Sequence, residues 1–174
     1  MPEARLEDSG SGLAPASDGW FIVNVREAEW WVSETFGSGT VFQSESVDFP
    51  QVGINISVLE PGKPNCLYHS ENLQEAFLVL SGRCKLLVEE EERELGPWDF
   101  FQCPEGTNHV FVGAGDDYSA GAIHTRQRNS GERVTAGLSD AGKAVAVQIF
   151  AKAPGGGEAP LASTGAAQSK ETGI

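Results

Sequence analysis

Four residues of this chain have the types and spacing for chemistry: His69, Glu71, Glu75 and His109. His69 and Glu71 stand two apart, so in extended backbone both side chains point to one face. Glu75 opens a strand and shares its face with Phe77 and Val79, and His109 opens another with Phe111 on its side. Just before His109, Pro104-Glu105-Gly106 reads as a turn whose glycine permits a positive φ. Two hairpins of one small barrel can thus aim two imidazoles and two carboxylates at a common point. A carboxylate in an apolar interior is costly unless it is paired or bound to a cation. Imidazole and carboxylate together suit Zn, Fe, Mn or Ni, with positions left open for substrate. One divalent transition metal is the expected cofactor.

The elements that must carry these residues read as strands. Val52 to Leu59 places Val52, Ile54, Ile56 and Val58 at period two, and Pro61-Gly62 closes the run with a turn. Ala76 to Leu80 is apolar on both parities, so both faces are expected to be covered. Ser81-Gly82 turns it into Cys84 to Val88, and the acidic run Glu89 to Glu92 reads as a solvated hairpin tip. Further strands are expected at Trp20–Val25, Phe100–Cys103, Asn108–Val112, Ser119–His124 and Ala144–Phe150. No long stretch shows a helical period, and short strands with Gly and Pro turns indicate an all-β antiparallel sandwich or barrel.

Every aromatic residue falls between Trp20 and Phe150. The expected domain is therefore 19–150, with a flexible N-terminal segment at 1–18 and a disordered tail at 151–174, which is rich in Ala, Gly, Ser, Thr and Pro. With 174 residues and a formal charge of −13, the chain is poorly suited to nucleic acid or an anionic membrane surface. It has no apolar signal region and no apolar span long enough for a bilayer. Its three cysteines, Cys66, Cys84 and Cys103, form no CxxC pair. A reducing, cytoplasmic setting is expected.

The segment from Gly62 to Gly113 resembles the cupin family. The first cupin motif, built on a glycine, an HxH pair, a glutamate and a second glycine, aligns with Gly62, His69-Ser70-Glu71, Glu75 and Gly82. The second, built on a glycine, PxG and a histidine, aligns with Gly96, Pro104-Glu105-Gly106 and His109. The resemblance implies a single jelly-roll β-barrel and metal ligation by His69, Glu75 and His109. The second histidine of the HxH pair is Glu71 here, and Gly113 replaces the final asparagine. Glu71 is open to three roles: an oxygen ligand to the metal, a residue supporting the ligands, or a proton acceptor beside the site. An oxygen-rich set tilts the metal toward Mn, Fe or Zn over copper.

Other residues are expected to serve the fold. Tyr68 points away from His69 and packs. Cys66 and Cys103 are small buried hydrophobes. Asp99 bonds a turn backbone. One of Trp30 and Trp31 lies in the core, leaving the other for an interface or lid. His124 is an exposed strand end, a substrate-facing imidazole, or an anion contact made with Arg126 and Arg128. No GxSxG is present, so nucleophilic catalysis finds no support. Cupins are commonly dimers, and Ala144–Phe150 would otherwise be a sticky edge, so a homodimer is expected. The expected function is a metalloenzyme of oxygenase, isomerase or decarboxylase type on a small polar metabolite. A non-catalytic sensing or binding module and a sugar-phosphate isomerase or epimerase are the alternatives. Few cations are placed for a phosphate, namely Lys63, Arg83, Lys85, Arg126 and Arg128, so a neutral or modestly charged metabolite is favoured.

Overall fold

The computed structural model describes residues 1–44, 47–115 and 142–152. Eleven strands and no helix occur among them: β1 (Leu6–Asp8), β2 (Leu13–Pro15), β3 (Trp30–Ser33), β4 (Gly37–Val41), β5 (Val52–Leu59), β6 (Glu75–Ser81), β7 (Cys84–Val88), β8 (Glu91–Leu95), β9 (Phe100–Cys103), β10 (His109–Gly113) and β11 (Ala144–Ala151). Every pairing between strands is antiparallel. One sheet has the order β3-β4-β5-β11-β6-β9 and a second has β10-β7-β8. The all-β expectation holds, and the two sheets face each other as an antiparallel barrel. Ser119–His124, with His124, Arg126 and Arg128, lies outside the described residues, as does the tail from residue 153.

The sheets close on a core drawn from both: Leu59, Phe77, Val79 and Ala144 from the larger, Cys84, Leu86 and Phe111 from the smaller. A second cluster, Trp30, Ile56, Val58 and Val145, packs on the other face of the large sheet. The period-two pattern of β5 therefore places its apolar side outside the barrel, under Trp30. The side bearing Gly53, Asn55 and Ser57 lines the interior with Leu59. Trp31 lies across Gly39, where an added Cβ would come within 2.5 Å of its ring.

Four expectations need correction. Residues 1–18 are not a free segment: β1 pairs with β2, Ala4 is buried, and bridges join Glu3 to Trp20 and Leu13 to Ala28. Positive-φ glycines at Gly10 and Gly12 allow this short hairpin to turn without an apolar pattern to announce it. Trp20–Val25 is not a strand, because only Trp20 bridges to another segment. The acidic run does more than cap a hairpin. Glu89 and Glu90 form its turn at φ 47° and 66°, and Glu91 begins β8, an edge strand that sets Glu92 against Lys85 at 2.7 Å and Glu94 against Arg83 at 2.6 Å. Charged side chains on an edge strand discourage pairing with other chains. Finally, Ala144–Phe150 is not an edge: β11 is hydrogen-bonded on both sides, to β5 and β6, so the edge-covering reason for a dimer falls away. No helix among the described residues is long and apolar enough to cross a membrane.

Candidate metal centre

Between β5 and β6 the chain runs alongside β10. Pro61 bridges to Gly113 and Pro64 to Val112, and His69 and His109 exchange backbone hydrogen bonds at 2.8 and 3.3 Å. This last pair brings the imidazoles together, with ring centroids 5.2 Å apart. Gly106, at φ 77°, turns the chain into β10 as its position before a strand suggested, and its N–H donates to the Glu71 carbonyl at 2.7 Å. On β6, Glu75 projects into the interior beside His109. One ligand atom from each of His69, Glu75 and His109 falls within 4.8 Å of the others.

The two histidines are held alike. In each, Nδ1–H donates to the carbonyl two residues earlier, His69 to Leu67 at 2.6 Å and His109 to Thr107 at 3.0 Å. A cysteine sulfur flanks each Nδ1, Cys66 at 3.5 Å and Cys103 at 3.3 Å. Such contacts fix the tautomer and leave Nε2 free to act as a donor atom toward a cation. Each Nε2 then faces a carboxylate oxygen at 3.2 Å, His69 facing Glu71 and His109 facing Glu75. The inner pair is almost wholly enclosed, with side chains 1 % and 5 % exposed, while the outer pair lies at the barrel mouth. Phe77, Phe101 and Phe111 surround His109 with centroid separations of 5.3, 6.1 and 6.5 Å.

These residues fit a cation. Glu75 Oε2 and His109 Nε2 are buried side by side, and apart from each other neither has a hydrogen-bond partner among the described residues. Buried polar atoms are seldom left so. With Nδ1 carrying the hydrogen, a neutral imidazole would present its lone pair to the carboxylate. A proton or a metal ion between them removes that repulsion. The protonated alternative is visible in the electrostatics. Burial lowers the His109 pKa, but the hydrogen bonds to Glu75 and the Thr107 carbonyl, with the Glu75 and Glu71 charges, outweigh it and hold the imidazole above its ordinary value.

Two residues of the centre were not singled out from the sequence. Gln148 of β11 donates Nε2–H to Glu75 Oε1 at 2.6 Å, and Asn55 of β5 donates Nδ2–H to Gln148 Oε1 at 3.0 Å. The chain orients the Glu75 carboxylate so that Oε2 turns to His109. Only the polar positions within two otherwise apolar strands hinted at it. Replacing Gln148 by Leu is expected to weaken metal binding 10- to 100-fold, the usual cost of losing a group that orients a ligand. Competition with a chromophoric chelator measures it, and an unchanged affinity would remove Gln148 from the centre.

The remaining expectations resolve as follows. Asp99 Oδ2 accepts from the Gly96 N–H at 2.8 Å, a structural role as expected. Trp30 is the buried tryptophan, its Nε1–H donating to the Val25 carbonyl at 2.8 Å. Tyr68 is not a packing residue, since it is exposed and its hydroxyl accepts from the Glu90 N–H at 3.2 Å. Burial, with the Glu75 and Glu71 charges, pushes the Cys66 thiol up to about 12. Cys103 is raised to about 11 by burial and by Glu75. Both stay protonated and are poor nucleophiles near neutral pH. Lys63, the best-placed cation of the sequence reading, pairs with Glu60 at 3.0 Å.

A family model for the cupin domain matches residues 55–124. No curated protein matches the sequence. Among solved structures, a Cupin 2 conserved barrel domain protein from Salinispora arenicola is 14% identical, covering 78% of this chain and 92% of its own, with a TM-score of 0.53. A sugar phosphate isomerase of the cupin superfamily from Silicibacter pomeroyi is 17% identical, covering 76% of each chain, with a TM-score of 0.51. The polyketide cyclase RemF from Streptomyces resistomycificus is 12% identical, covering 75% of this chain and 78% of its own, with a TM-score of 0.53. Likeness at these identities speaks to the fold alone, and it agrees with the paired sheets and the two motifs that meet at His69 and His109. The match over residues 55–124 and the shared fold support the cupin superfamily for this chain.

Proposed function

We propose that this cupin is a metal-dependent enzyme acting on a small polar metabolite that carries little negative charge. The observation that supports the reading best is the enclosed Glu75–His109 pair, whose facing atoms have only each other among the described residues while His69 lies beside them at the mouth. His69, Glu75 and His109 would hold a divalent transition metal, with Glu71 as a fourth oxygen donor or as a proton acceptor. When bound, the ion supplies Lewis acidity toward a substrate oxygen.

The protein's own groups do the rest. Phe77, Phe101 and Phe111 keep water from the inner face of His109 and strengthen local electrostatics. Glu71 Oε1, at the half-exposed rim, can take a proton from a substrate entering beside His69 and release it to solvent. A phosphate-bearing substrate, as the name of the Silicibacter pomeroyi protein would suggest, finds less support. Lys63, Arg83 and Lys85 are each paired with a carboxylate, Glu60, Glu94 and Glu92 respectively. Elemental analysis of protein purified without chelator tests the proposal. About one equivalent of a transition metal is expected, with at least a tenfold loss in His69→Ala. Freshly purified protein that holds no metal and takes none up on titration would overturn it in favour of a metal-free binding module.

A further inference from the structure

The interior carries a third orphan besides the two in the metal pair. Asn55 Oδ1 is buried and has no hydrogen-bond partner among the described residues. Asn55 stands opposite Gln148, which stands opposite Phe77, which stands opposite Phe101. Residues directly opposed in antiparallel strands share a face, so Asn55 belongs to the wall that carries Phe77 and, two residues along, Glu75.

The chemistry of the chain settles which end of the Asn55 amide is free. Glu75 as a carboxylate only accepts, so the Gln148 amide must turn its NH2 toward it. Gln148 therefore presents its oxygen to β5, and Asn55 must answer with its own NH2. Turning the Asn55 amide over would set two oxygens against each other. The carboxylate thus propagates a fixed hydrogen-bond direction along two amides, and an acceptor is left at the far end. A buried acceptor without a donor costs about 1–3 kcal/mol, and a bound molecule bearing a donor recovers it.

We infer that Asn55 is a ligand-binding residue of this site, which accepts a hydrogen bond from a hydroxyl or amine of the bound metabolite. The inference rests on the proposed metal centre and narrows its substrate class. The ligand carries, besides the oxygen that approaches the His69–Glu75–His109 cluster, an O–H or N–H donor directed at β5. Masking or deleting that donor leaves Asn55 Oδ1 desolvated and unpaired, so the site discriminates against such compounds more strongly than their size alone would suggest.

4-Hydroxybutyrate and butyrate share a carboxylate and differ by one hydroxyl, and their chain is long enough for the two ends to address the cluster and a residue two strands away. Each is titrated by calorimetry into zinc-loaded wild type and into Asn55→Leu, a substitution close in volume. With both proteins held at saturating zinc, the wild type is expected to prefer the hydroxylated probe, and Asn55→Leu to lose about tenfold of that preference. Equal preference in both proteins would show the hydroxyl meeting only the cation, and no preference in the wild type, whether both probes bind or neither does, would also overturn the inference. Asn55→Ala replaces Asn55→Leu if circular dichroism shows the latter unfolded. A wild type that binds no zinc defeats the metal centre separately, and the same probe pair on the metal-free protein then still reads Asn55.

Discussion

Substituting Leu for His109 is expected to abolish metal retention and to destabilise the chelator-treated protein by about 3–5 kcal/mol. The size of the second effect follows from what is left behind. Glu75 is 5 % exposed and would keep its carboxylate with Gln148 as its one remaining hydrogen-bond donor among the described residues. Breaking one side of a buried pair strands the other charge, and that penalty exceeds the net worth of the pair itself. The double substitution His109→Leu, Glu75→Leu removes both groups and should regain most of the lost stability without regaining metal. Urea unfolding of the three proteins, followed by far-ultraviolet circular dichroism, measures this. A double variant no more stable than His109→Leu would show that Glu75 is not the source of the penalty.

Metal affinity should fall steeply with acidity, and the metal-free protein should respond in the opposite sense. The His109 pKa lies above the ordinary imidazole value, with the Glu75 hydrogen bond chief among the causes that raise it against burial. A proton on Nε2 occupies the position the ion needs. Below the folded pKa of His109, each unit of pH therefore costs roughly tenfold in affinity. Without metal the sign reverses. A group whose folded pKa is raised contributes stability that is complete below the unfolded value of about 6.5 and is lost as pH rises through the folded value. Melting temperatures of zinc-loaded and chelator-treated protein should diverge as pH rises above about 6.5. Parallel curves would mean that His109 carries no exchangeable proton in the pair.

The grouping of His69, Glu75 and His109 was more legible in this sequence than the frame around it. His69, Glu75 and His109 could be brought together on paper because Glu75 and His109 each open a strand with apolar residues on their own face, and because Pro104-Glu105-Gly106 demanded a turn just before β10. The Asp99 turn and the β6–β7 hairpin followed from equally local rules. What escaped notice depends on distant partners. β3 and β4 meet through Gly37-Ser38-Gly39-Thr40, a run that reads as loop until Trp31 is seen to need the space above Gly39. β8 is nearly all charge and is a strand only because β7 offers it a ladder. Asn55 alternates with the apolar residues of β5, and Gln148 interrupts the apolar run of β11. In a closed barrel with a second cluster on its outer face, their side is the interior, and polarity there marks the site.

The turn between β7 and β8 has a mechanical side. Glu89 and Glu90 both sit in left-handed backbone, a conformation that costs an L-residue about 1–2 kcal/mol and that Asn or Gly would adopt more readily. They are fastened from outside: the Glu89 carboxylate accepts from the Asn108 N–H at 2.6 Å, and the Glu90 N–H reaches the Tyr68 hydroxyl. Asn108 and Tyr68 are the immediate chain neighbours of His109 and His69. A wound spring is thereby clipped to both imidazole-bearing segments, so that slack in this distant-looking tip would be felt as play in the spacing between the two rings.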